Sequence, residues 1–387
     1  MKAVKIVFSI IFLAILASNV RLISHWTESR GVYDDICYLR QAHLFKRFGY
    51  WSGLDTSLAR ENDGYLAGKL RSIGFANWNE PTRAPCHTET ADGSKWVMTP
   101  PPGTGFVLSL FPEGSQVIPL YVAANAIIAG FALYGLWRAR EPTALTLAAL
   151  FGAVSIYLMI NPTKASYSMA PTMIVCALAG FLTARLFVDE SRRRLLTLAA
   201  VGVLLGFSAS LRIANVILGA GYFLFFGVAF LASRSRAALA QGLTFGLSFL
   251  AGVSPVLAAN WINSGNPLVS AYGGQDTAPP SIDWAVLRAY LSDTQFPLIV
   301  IACVWTALLW RFSGHCGVKR LTLLVAGNLA LNIAFFATHP VFTQYYVIPI
   351  AMLTLWTLLF ATIFSRGEGL VVADGPQGSG MLIGHDI

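Results

Sequence analysis

About ten times along this chain, a run of roughly 17 to 22 residues passes with almost no Asp, Glu, Lys or Arg. Coiled as an α-helix, a run of that length matches the hydrocarbon thickness of a bilayer. Charged residues make up only 12% of the 387 positions, against about 25% in soluble domains, so there is too little charge to coat a water-soluble fold. The expected fold class is therefore all-α: a polytopic transmembrane bundle of about ten helices, with one long extracytoplasmic loop containing interfacial helices.

The first run, residues 4–23, follows Lys2 and Lys5 and continues past the small residues between Ala14 and Ser18 where a secretory signal would be cut. It reads as a retained anchor. A polar stretch, residues 24–116, comes next, and further spans are expected over 117–137, 143–160, 170–188, 195–211, 213–232, 242–260, 296–310, 321–336 and 341–364. One membrane domain thus occupies residues 1–364, including the 24–116 loop, and a short Gly-rich tail, 365–387, reads as disordered and cytoplasmic.

Orientation follows from the short loops, since Lys and Arg near span ends are retained in the cytoplasm. Arg138 and Arg140, Arg192 to Arg194, Arg234 and Arg236, Arg311 with Lys319 and Arg320, and Arg366 fall in every second turn. The intervening short turns hold only Lys164, Arg212 and His339. Both termini are expected in the cytoplasm and the long loop outside it, in what reads as a bacterial inner membrane. A net charge of +8 raises nucleic acid as a partner, but the basic residues lie between apolar runs and not on one polar surface. Nucleic-acid binding is excluded on that ground; the bilayer is the partner they imply.

Five cysteines make no disulfide framework, and no Cys/His spacing points to a metal site. Cys37 and Cys86 share the long loop. They pair if that loop meets an oxidising compartment and otherwise stay free thiols; spacing leaves both open.

Chemistry is expected where polar groups crowd the extracytoplasmic ends. Ile36, Leu39, His43, Leu44 and Phe48 recur near helical spacing beside Arg40, Lys46 and Arg47, which predicts a short interfacial helix opening at Asp34 and Asp35. One acid suffices to cap a helix. The second is then available to face a lipid headgroup. Pro100 to Pro102 followed by Gly103 and Gly105 predicts a rigid turn into the apolar segment Phe106 to Phe111, with Lys95, Thr99 and Thr104 nearby as phosphate or sugar contacts. Charge at a span end is costly and is usually kept for function. Arg212, which breaks the charge bias of the short loops, is the strongest such candidate; Lys164, His339, Gln344, Tyr345 and Tyr346 are also candidates, though belt or snorkelling positions suit Lys164 and the tyrosines.

With these residues in order, the chain resembles the C-type glycosyltransferases, in the group of the protein O-mannosyltransferases and the lipid A aminoarabinose transferase. The resemblance runs through the acid pair opening YDDICYLRQA, the Pro-Pro-Gly-Thr of Pro101 to Thr104, Arg212, the NWINSGNPLVSAYGG of Asn260 to Gly274, and HPVFTQYYVIPIAML near the close. It covers most of the chain up to about Met352. It implies Asp34 as catalytic base supported by Asp35, and Arg212 as a contact of the donor phosphate. Lys95, Lys164, His339, Gln344 and Tyr345 are the further expected substrate contacts. Gln344-Tyr345 stands where relatives often carry Arg-Tyr, and the soluble C-terminal domain of some relatives is missing.

The implied activity is inverting transfer of a sugar from a polyprenyl-phosphate donor to a hydroxyl of a lipid, glycan or protein. No nucleotide fingerprint is present, no cofactor is certain, and a need for a divalent cation is left open. The alternative is a transporter or flippase of a lipid-linked glycan. That class places polar groups and broken helices near the bilayer midplane, often in two related halves, and no internal repeat is visible here.

Overall fold

The computed structural model describes residues 1–28, 35–160, 166–188, 193–271, 279–293, 296–339 and 347–365. Of the expected sites, Asp34, Lys164, Gln344 and Tyr345 lie outside them, as do Tyr346 and most of the tail. Fourteen α-helices and one small hairpin make up the regular structure among the described residues.

Helix α1 (Lys2–Ile23) opens the chain. The polar loop then contributes α2 (Asp35–Ser52), α3 (Tyr65–Ser72), an antiparallel hairpin of β1 (His87–Glu89) and β2 (Trp96–Met98), and α4 (Gly103–Ser109). The bundle continues through α5 (Val117–Arg138), α6 (Pro142–Tyr157), α7 (Met169–Val188), α8 (Arg194–Leu211), α9 (Ala220–Ser233) and α10 (Arg236–Ser264). It closes with α11 (Trp284–Ser292), α12 (Phe296–Phe312), α13 (Cys316–Thr338) and α14 (Val347–Phe364).

Eight of these segments are long and apolar enough to cross a membrane, nine if α11 and α12 count as one broken span. That is the make-up of a multi-pass integral membrane protein. Within the described residues each of the ten expected apolar runs contains helix, but α6 has 16 residues, about 24 Å at 1.5 Å per residue, and falls short of a hydrocarbon core of about 30 Å. The run expected over 213–232 is a 3-10 turn, Ile213–Gly219, leading into α9.

Consecutive spans alternate in direction, so the basic turns gather at one end. There, Lys5 Nζ donates to the carbonyls of Trp137 (2.8 Å) and Ala139 (2.7 Å). The polar loop sits at the other end, the loop end. Helix α14 is buried along almost its whole length against α7. Because lipid gives no hydrophobic drive for one helix to leave it for another, close backbone approach and buried polar pairs set the packing. Asn19 of α1 and Asn125 of α5 form such a pair, with Asn19 Nδ2 donating to Asn125 Oδ1 and to the Ile156 carbonyl, each at 2.8 Å.

Helices α8 and α10 make the most intimate contact. Gly202 and Gly206, four residues apart on α8, face Ser248 and Gly252 of α10 in turn; a Cβ on Gly206 would lie 2.1 Å from the Phe249 carbonyl, and one on Gly252 2.3 Å from that of Val203. Both partners are backbone and cannot swing away. Gly206→Ala is expected to push α8 off α10 at a cost of about 1–3 kcal/mol. The check is a lower Tm in detergent, with Gly227→Ala, where a Cβ meets nothing within 4 Å, as the neutral control.

Candidate active site

Helix α2 begins at Asp35, as the sequence predicts, and is buried over most of its first three turns. The Asp35 side chain is buried, and its Oδ1 accepts from Ser166 Oγ (2.8 Å) and from the backbone N–H of Tyr167 (2.9 Å). It therefore reaches across to the entry of α7, 131 positions further along the chain. Around it, the Tyr121 hydroxyl donates to the Ser166 carbonyl (3.0 Å), and the Tyr167 hydroxyl donates to the Glu28 carbonyl (2.7 Å). Spans α1, α5 and α7 thus converge on the residue next to Asp34.

From Asp35 a polar path follows the first turn of α7 to Arg212. Ser166 Oγ lies 3.0 Å from Ser168 Oγ, Thr172 Oγ1 donates to the Ser168 carbonyl (2.8 Å), and Asn215 Nδ2 donates to Thr172 Oγ1 (3.3 Å). Asn215 also donates to the Ser208 carbonyl (3.0 Å) and, through its backbone N–H, to that of Arg212 (2.9 Å). Arg212 is the half-buried residue at which α8 stops: its φ of −159° and ψ of 124° are extended, and the 3-10 turn begins at the next residue. Serine, threonine and asparagine suit this role because their short side chains satisfy the backbone groups that a broken helix exposes.

The Pro-Pro-Gly-Thr segment is the wedge between the two halves of the site. A Cβ on Gly103 would lie 2.6 Å from the Ser210 backbone in the last turn of α8, and one on Gly105 would lie 2.4 Å from the Gln41 side chain of α2. Thr104 Oγ1 donates to the Leu211 carbonyl (3.0 Å). Two glycines thus let α4 touch α2 on one side and the Arg212 turn on the other. Its rigid entry was legible; what it packs against was not.

A buried ion pair holds the middle of α2. Arg40 is fully buried; Nε lies 3.2 Å from Glu61 Oε2, Nη1 donates to the Thr56 carbonyl (2.8 Å), and Nη2 to that of Ser57 (3.1 Å). Nη1 also lies 3.2 Å from His87 Nε2, which must then accept, while Nδ1 of that ring donates to the Pro85 carbonyl (3.1 Å). Burial first, and the adjacent Arg40 charge second, pull the His87 pKa down to about 4.

Cys37 and Cys86 are joined by a disulfide, with Cα atoms 6.4 Å apart, which resolves the alternative that spacing left open. Their sulfurs and His87 converge as three ligand atoms would. With the sulfurs bonded to each other and Nε2 turned to Arg40, the group is a covalent tie beside a neutral ring and not a metal ligand set.

The other expected contacts are more scattered. Lys95 is exposed at the turn of the hairpin, just before β2. His339 caps the end of α13 at the loop end, its ring stacked on Phe335 (centroids 4.2 Å apart) and its Nδ1 2.8 Å from the Phe335 carbonyl. Nearby, α11 to α14 enclose an apolar cavity of about 490 Å3, with Trp284, Tyr290 and Phe336 in its wall and Arg288 as the charged residue of its described lining. Arg288, Ser166 and Tyr167 were not among the contacts expected from the sequence, although Ser-Tyr-Ser directly before a span was a usable signal. Comparison of the chain with models of known protein families and with curated proteins gives no match.

Two outcomes are expected. Asp35→Ala leaves the Tyr167 N–H and Ser166 hydroxyl without their acceptor and lowers stability by about 1.5–3 kcal/mol, whereas Asp35→Asn keeps an acceptor oxygen and loses less, read as Tm by scanning fluorimetry. His87 titrates near 4 when folded and near 6.5 when unfolded, so the unfolded chain binds the extra proton between those values. Stability is then full above pH 6.5 and falls by about 1–3 kcal/mol as pH drops toward 4, a slope that His87→Gln should flatten in Tm measured against pH.

Proposed function

We propose that this chain is an inverting glycosyltransferase that moves a sugar from a polyprenyl-phosphate donor to an acceptor hydroxyl on the extracytoplasmic face of the membrane. The observation that carries the reading is the convergence at the loop end: Asp35, the second acid of the sequence pair, tied through Ser166, Ser168, Thr172 and Asn215 to the Arg212 turn. An apolar cavity with Arg288 in its wall opens at the same end. A carboxylate, cations and an apolar cavity are what a lipid-phosphate sugar requires together.

In this reading Asp34 is the base, because Asp35 is committed to Ser166 and Tyr167. Asp34 takes the proton of the acceptor hydroxyl as its oxygen attacks the anomeric carbon. The bond from that carbon to the phosphate oxygen breaks on the opposite face, inverting the centre. The electron pair leaves with the lipid phosphate, whose charge Arg212 and Arg288 offset.

The Cys37–Cys86 disulfide supports an oxidising compartment around the loop, and with it cytoplasmic termini in a bacterial inner membrane. A transporter would favour helix breaks near mid-membrane. Here the break between α8 and α9 lies at the loop end. Asp34→Asn is expected to lower sugar transfer about 10²–10⁴-fold with no change in Tm or in membrane insertion. The assay is transfer in proteoliposomes loaded with polyprenyl-phosphate sugar; wild-type rates from the variant would remove the assignment.

A further inference from the structure

A second apolar groove, of about 540 Å3, borders the Pro-Pro-Gly-Thr wedge, between α2, α4, α8 and α10. Phe45, Tyr50 and Trp51 of α2, Phe106 of α4, and Pro255 and Ala258 of α10 line it. Among the described residues it shares no lining with the Arg288 cavity. Its surroundings say what can enter. Leu243, Leu247 and Leu250 are exposed along one stripe of α10, the side a bilayer would cover, and Ser254 and Ala258 continue that stripe into the groove.

The groove therefore opens sideways to hydrocarbon, with exposed Tyr50 and Trp51 at its rim where amphipathic rings favour the membrane interface. At its inner end stand Pro102 and Gly103. Gly103 rests on Ser210, two residues before Arg212, and Pro102 also borders a small pocket lined by the uncharged polar groups of Gln41, Thr56, Thr99 and Asn263. A chain lying in the groove thus carries its head toward the site and away from bulk lipid.

We infer that this groove holds the hydrocarbon chain of the acceptor, which makes the acceptor a membrane lipid. The assignment of a chain to the groove stands on its lining; the word acceptor rests on the transferase reading above. A donor chain takes the Arg288 cavity, and the two lipids meet across α4 and the Arg212 turn.

The first test needs no turnover. Protein in nanodiscs containing a phosphatidylethanolamine with a diazirine near its chain end is irradiated, and the crosslinked peptides are mapped by mass spectrometry. Labelling at Tyr50, Trp51 and Ser254 to Ala258 is expected to exceed that at Leu243 to Leu247 by about threefold. Ala258→Trp and Ser254→Phe, each filling the groove, are expected to remove the excess while the protein stays monodisperse. Equal labelling along the stripe, or an excess that survives both substitutions, overturns the site and leaves ordinary annular lipid.

The second test compares envelope lipids, proteins and glycans from cells carrying Asp34→Asn, Ala258→Trp or Ser254→Phe as the only copy. A lipid species lacking one sugar in all three is the expected result. A sugar missing from protein or polysaccharide, with lipids unchanged, overturns the lipid acceptor and spares the transferase reading. Full glycosylation in Asp34→Asn overturns that reading itself, whatever the crosslinking shows.

Discussion

Asp35 brings a carboxylate into a place with almost no solvent, and the fold at the loop end is organised around satisfying it. Two donors from the entry of α7 meet one of its oxygens, so the loop is fastened to the bundle by a hydrogen-bonded acid and not by apolar contact alone. Apolar contact would make a poor fastening here, since bilayer hydrocarbon competes for it on equal terms. The same tie fixes the start of α2.

Inward from that tie, short polar side chains line the helix ends. Ser166, Ser168, Thr172 and Asn215 accept or donate where α7 begins and α8 ends, so that the Arg212 turn is held by backbone geometry. Arg40, buried with Glu61 and two carbonyls, does the same for the loop itself. A buried ion pair of this kind adds little stability relative to an apolar substitute, but removing either partner strands the other, which favours one arrangement of α2 over its alternatives.

Much of this was legible along the chain because it depends on local composition. The spans, the start of α2 at the acid pair, the rigid entry to α4 and the helix end before Arg212 are all properties of a few consecutive residues. The partners were not legible. Ser166 lies 131 positions from Asp35, and His87 lies 47 from Arg40. Nothing in either neighbourhood announces the other. Lys95 resembled Thr104 as a polar group near the wedge, yet a hairpin turn carries it to the exposed edge while Thr104 is buried against α8.

The sequence by itself determined that apolar helices would dominate and that polar groups would collect at their ends, because a bilayer tolerates only backbone that satisfies its own hydrogen bonds and expels most charge from its centre. Tertiary structure decided which of those groups meet, that Cys37 and Cys86 pair, and that one apolar cavity forms among α11 to α14 and another beside the wedge. Helix formation is set by each segment's own residues. Which helices touch is set by glycines whose neighbours leave no room for a Cβ and by single hydrogen bonds, and those depend on residues distant in the chain.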